Sequence, residues 1–116
     1  MKRKSGSEGY AGLFAKYHLN ALISPAGSPA DVIPAAGTSR PGQRQKGAPS
    51  LTWHAAVGGY PLLTVPMGAV GGMPVGLSFV GPQWSEAVLL SYGYAYEQAG
   101  YKRVPPEAYK KTAASK

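Results

Sequence analysis

Groups that ionise, attack or coordinate are few in this sequence, and they are dispersed. The five carboxylates, Glu8, Asp31, Glu86, Glu97 and Glu107, are scattered, and none is paired by spacing for general acid/base work. His18 and His54 stand alone, without an HxxxH or carboxylate spacing, so neither a metal site nor a cofactor is expected. Ser39, within Gly37-Thr38-Ser39-Arg40, is a conceivable nucleophile, but no local base accompanies it. A G-x-S-x-G elbow, a G-x-x-x-x-G-K-[ST] phosphate loop and an H-E-x-x-H helix are all missing. Trp53 is expected in the core, with a pocket-facing position as the alternative.

The elements that would position these residues centre on Gly58 to Pro82. Two apolar runs, Leu62 to Val65 and Val75 to Val80, are bounded by Pro61, Pro66, Pro74 and Pro82. Gly68, Gly71 and Gly72 between them can take the positive φ of a reversal, so an antiparallel pair is predicted. The runs are apolar on both faces, which implies strands buried between layers.

Upstream, Ser5-Gly6-Ser7-Glu8 has the form of a capping box. The stripe Tyr10, Leu13, Phe14, Tyr17 predicts a helix stopped at Asn20, followed by a short strand Ala21 to Ile23. Prolines and glycines at 25–49 predict a long loop. Ser50 then caps a short helix over Leu51 to Val57, stopped by Gly58 and Gly59. Downstream, Ser85 and Glu86 open a helix to about Ala99, with Val88, Leu89, Tyr92, Ala95, Tyr96 and Ala99 as its apolar face and Gly100 as its end.

The chain has 116 residues, enough for one domain with a modest core. Its formal net charge is +7, from 12 Lys+Arg against 5 Asp+Glu. Most of the cations lie in the two tails and in a loop with Arg40, Arg44 and Lys46, and none occurs between Lys46 and Lys102. No aromatic residue interleaves with them and no helix face concentrates them, so solvated segments are expected rather than a nucleic-acid surface. Cysteine is absent, which fits a reducing cytosol, and a cytoplasmic location is expected. Neither a signal peptide nor a membrane span is predicted.

The ordered phrases Ala21-Leu22-Ile23-Ser24-Pro25, Gly59-Tyr60-Pro61-Leu62-Leu63-Thr64-Val65-Pro66-Met67-Gly68 and Gly72-Met73-Pro74-Val75-Gly76-Leu77-Ser78-Phe79-Val80-Gly81, with the helix that ends Ala95-Tyr96-Glu97-Gln98-Ala99, resemble the carboxyl-terminal end of amidase signature enzymes. The resemblance implies an α/β fold, the carboxyl-terminal piece of the amidase signature fold, with a short mixed β-sheet of about three strands packed with about three helices. It implies a division into a basic tail at 1–6, an amidase-like segment at 7–106 carrying the loop at 25–49, and a polar basic tail at 107–116.

Enzymes of this family cleave or transfer amides with a Ser, cis-Ser, Lys arrangement. That arrangement sits on a Gly/Ser-rich signature and an upstream lysine. This sequence has no Ser-Ser pair, so no catalytic residue carries over, and the chain by itself is expected to be inactive. The resemblance also places about Ser50 to His54 in a substrate-pocket wall. Pro49 and Ser50 stand where glutamine-type members carry an acidic residue, and Trp53 suggests an apolar or aromatic substrate.

Two readings follow. In one, the chain is the carboxyl-terminal segment of an amidase, whether a truncated product or one half of a split gene, and its partner is the amino-terminal portion of such an enzyme. In the other, it is a non-catalytic interaction module whose basic tails meet an acidic partner. Without its other part, the chain is expected to self-associate or to be partly molten.

Overall fold

In a computed structural model of the protein, residues 9–29, 51–100, 103 and 105 are described. The Ser5 capping box, most of the loop at 25–49, Ser50 and both tails lie outside them. The described elements are α1 (Tyr10–Tyr17), β1 (Leu22–Pro25), α2 (Thr52–Gly58), β2 (Leu62–Val70), β3 (Met73–Val80) and α3 (Glu86–Gln98). Among the described residues, no helix is long and apolar enough to cross a membrane.

The expected hairpin is present and longer than its flanking prolines suggested. Pro66 lies inside β2 with Gly76 as its Cα partner, and Pro74 lies inside β3 opposite Ala69. The pairing steps from Pro66/Gly76 to Gly68/Val75, so Met67 is the extra residue of a bulge. Pro66 adjoins that bulge on an outer strand, and Pro74 lies beyond the stretch of β3 that β1 reaches. At such positions a missing ladder donor is tolerated. The reversal is the two-residue turn Gly71-Gly72, with φ of 57° and 78°. Positive φ at both central residues is what the strand twist demands of a two-residue hairpin loop.

β3 is the central strand, in the order β1-β3-β2, and both of its pairings are antiparallel. The sheet therefore has the three strands expected but is antiparallel throughout rather than mixed. β1 begins one residue later than expected and runs through Ser24 to Pro25.

The register aligns four rows across the sheet: Leu22–Val80–Leu62, Ile23–Phe79–Leu63, Ser24–Ser78–Thr64 and Pro25–Leu77–Val65. Alternate rows face opposite sides. On one side, Val80 packs with Phe14, Ala55 and Tyr60 into the core, flanked by Tyr10, Leu19, Leu22, Leu51 and Leu62. On the other side, α3 lies over β2. A Cβ at Gly93 would fall 2.5 Å from Leu63 Cδ2 and 3.5 Å from Val65 Cγ1, which shows how closely the helix approaches the strand.

The helix ends depart from expectation at the stop of α1 and at the start of α2, which begins at Thr52 with Leu51 in the N-cap position. α1 stops at His18, whose φ is 51° and whose backbone N–H donates to the Phe14 carbonyl, and Asn20 is not the left-handed residue. Histidine is one of the residues that tolerates this conformation, so the stop comes two residues earlier. In α1 only Phe14 is buried; Leu13 and Tyr17 are exposed. α2 ends at Gly59 with φ 72°, as its glycines predicted. In α3 the inward stripe is Leu89, Tyr92, Gly93 and Tyr96, while Val88, Ala95 and Ala99 are exposed. Gly93 rather than Val88 faces the sheet because the close approach to β2 leaves no room for a side chain there.

Candidate functional site

α2 carries the residues expected in a pocket wall. Its N-cap position is Leu51, with no side-chain capping bond, and Ser50 lies outside the described residues. Ala55 turns inward and is 1% exposed, so Trp53, two residues earlier, cannot share its face. Trp53 is 52% exposed, which replaces the expected core position by the pocket-facing alternative or a surface one. Its ring meets that of His54 at 5.3 Å, edge-on at 89°.

From there the aromatic contacts run inward without a break. His54 lies 6.1 Å from Tyr10, Tyr10 lies 5.6 Å from Tyr60, and Tyr60 lies 6.2 Å from Phe14. Edge-to-face and tilted pairs at these separations each add modestly to the area they bury. The Ala11 backbone N–H donates to the Tyr60 hydroxyl at 3.2 Å, which ties α1 to the segment that follows α2. Burial pushes the Tyr10 phenol above its ordinary value of 10.0. The ladder thus anchors Trp53 and His54 to the core and presents them at the surface. Residue spacing singled out Trp53 but not the ladder, because its members come from α1, α2 and the Tyr60 segment.

Among the described residues no group of three or more His, Asp or Glu could hold a metal ion. Ser78, fully buried, shares a hydrogen bond of 2.9 Å with Thr64 between their hydroxyls. That pair joins neighbouring strands and serves the sheet.

A third feature is the corner before α3. Trp84 is 91% exposed and has φ 66°, unusual for a bulky residue. The corner is closed by Ser85, whose hydroxyl donates to the Pro82 carbonyl at 2.6 Å, and by Gln83, whose amide donates to the Gly58 carbonyl at 3.4 Å. Ser85 therefore bonds backward rather than capping α3.

No family model matches the chain. It is 43% identical over 51 residues to a component of the glutamyl-tRNA(Gln) amidotransferase of Desulforudis audaxviator, which is 42% of this chain and 10% of that protein. It is 47% identical over 53 residues to a probable amidase of Arabidopsis thaliana, 45% of this chain and 10% of that protein. Among solved structures, the native peptide amidase of Stenotrophomonas maltophilia superposes on 91% of this chain with a TM-score of 0.76 at 40% identity. A peptide amidase in complex with the competitive inhibitor chymostatin gives 0.72 at 39%. The chain spans about a tenth of the length of the curated relatives and about a fifth of the solved ones. Amidases occur at both levels of comparison and the amidotransferase component among the curated relatives, and the chain is similar to a carboxyl-terminal segment of such amidases.

Proposed function

We propose that this chain supplies the carboxyl-terminal strands and part of the substrate-pocket wall of an amidase, an enzyme that cleaves the C–N bond of a linear amide. Catalysis then requires a partner that carries the Ser, cis-Ser, Lys arrangement. The observation that carries this reading is the superposition on peptide amidase over 91% of the chain at 40% identity. Similarity at both levels over one fifth of that enzyme argues for a part rather than a whole. Within the pocket, Ser50 and Trp53 are the proposed substrate-facing residues. Trp53 stands on the aromatic ladder, so an apolar or aromatic group on the substrate would have a rigid surface to lie against.

The test is complementation. The chain is co-expressed with Stenotrophomonas maltophilia peptide amidase lacking the fifth of its length that matches, and hydrolysis of a peptide amide is followed. The expected result is activity with both parts and none with either alone. Trp53→Ala in the reconstituted pair is expected to raise KM for an aromatic substrate about tenfold, the effect of losing roughly 1.4 kcal/mol of binding. A pair that associates but never turns over would sink the reading, and unchanged KM would remove Trp53 from the pocket.

A further inference from the structure

His54 is exposed, yet its ring is held in place by two others. Trp53 meets it edge-on at 5.3 Å, and Tyr10 on α1 lies 6.1 Å away. Tyr10 is fixed in turn against Tyr60, whose hydroxyl accepts the Ala11 backbone N–H. All the contacts that orient the imidazole are therefore made ring to ring. Among the described residues neither of its nitrogens has a hydrogen-bond partner. A histidine positioned by its ring, with its nitrogens open, is set before a ligand arrives, and little side-chain freedom is lost when one binds.

The charges around it point to the kind of ligand. Among the described residues the carboxylates are Glu86 and Glu97, both on α3, which lies over β2 on the other side of the sheet. On the His54 side, α1 and its capping residue bring Lys16 and His18, and α2 brings His54 itself. The sequence has no Asp or Glu between Asp31 and Glu86. An ammonium group on a substrate would find no counter-ion on α1 or α2, whereas an anion would meet only neutral or cation-forming side chains.

We infer that His54 is a specificity-determining residue of the site proposed above, donating a hydrogen bond to a carboxylate that stands beside the aromatic group on Trp53. The inference rests on that proposed site. The substrate class is then the amide of an aromatic residue whose neighbour is acidic. The spacing fits, because the Trp53 and His54 ring centres are 5.3 Å apart and consecutive residues of a peptide have Cα atoms about 3.8 Å apart. An acidic side chain next to an aromatic one reaches the imidazole while the aromatic ring rests on the indole. An N–H bond to a carboxylate is charge-assisted and stronger than one to a neutral amide oxygen, so a neutral substrate of the same shape is the discriminating comparison.

The experiment uses this chain reconstituted with Stenotrophomonas maltophilia peptide amidase lacking its matching fifth. The probes are acetyl-aspartyl-phenylalanine amide and acetyl-asparaginyl-phenylalanine amide, which differ in charge and hardly in shape. The parent pair is expected to favour the aspartyl amide about tenfold in kcat/KM, the size of one hydrogen bond to a charged group, with the difference carried by KM. His54→Phe keeps a ring for Trp53 and Tyr10 to meet but removes the nitrogens, and the ratio is expected to fall to about one. His54→Ala gives the same ratio and decides the matter should the phenylalanine variant fail to fold. The partner's part is common to every pair, so a change in the ratio belongs to this chain. A merely structural His54 would weaken both amides alike and leave the ratio standing. That result, or a parent pair with no preference for the acid, overturns the inference; a raised KM in Trp53→Ala then still keeps Trp53 in the pocket wall. Unchanged KM in Trp53→Ala, or a pair that never turns over, removes the site and the inference together.

Discussion

At the scale of single residues, the hydroxyl pair of Thr64 and Ser78 is the most exacting feature. Ser78 is fully buried in the central strand, and Thr64 supplies its side-chain hydrogen bond. Replacing Thr64 by Val keeps the shape and leaves the Ser78 hydroxyl dry and unpaired. The expected loss is about 1–3 kcal/mol, the desolvation penalty of an unsatisfied buried polar group. Adding Ser78→Ala to Thr64→Val should recover most of that loss, since both partners are then apolar. Urea midpoints of the two single variants and the double variant close the cycle, and additive losses would show that the bond contributes nothing. None of this was legible in the sequence, where Thr64 and Ser78 are 14 positions apart and look like ordinary strand residues. Trp84 is a similar case: the sequence marks a helix start at Ser85 but does not show that the preceding residue sits at positive φ.

Elements were easier to foresee than their limits. The helix periodicities, the glycine reversal and the antiparallel pair come from local propensity, which acts over a few residues. The strand ends were misplaced at Pro66 and Pro74, because proline blocks only its own ladder bond. On an edge strand or beside a bulge that bond is dispensable, and whether a strand is an edge is a property of the sheet. The turn itself gives a direct check. At Gly72, φ is 78° and open space surrounds the position of a Cβ, so a substitution there meets only a conformational cost. Gly72→Ala should therefore lose about 1 kcal/mol, with Gly72→Asn milder, because asparagine tolerates the left-handed region. Equal stability of the alanine variant in urea unfolding would mean that the turn can change type. The inward face of α3 illustrates the same limit, since the choice of Gly93 over Val88 depends on how near β2 lies.

The whole molecule is best understood by what its sheet leaves bare. Among the described residues the buried apolar side chains are Phe14, Ala55, Tyr60, Val65, Val80 and Leu89. Ile23, Trp53, Trp84, Leu90 and Tyr94 are each more than half exposed. The isolated chain is therefore expected to bind a hydrophobic dye such as ANS. Ile23→Asp should reduce the fluorescence, and the complementing amidase part should suppress it further. A chain that gives no ANS signal would place its apolar surface in contacts within itself.

Taken alone, the sequence determined the family resemblance, the order of the elements and the lack of a Ser-Ser pair. These are properties of residue type and short-range spacing. Only the tertiary structure decided that Trp53 stands at the surface on a ladder of rings, that Ser78 pairs with Thr64, and that α3 covers β2 and not β1. The reason is that each of these depends on distances between segments far apart in the chain. Backbone propensity carries no information about which face of a strand a distant helix will choose; packing does.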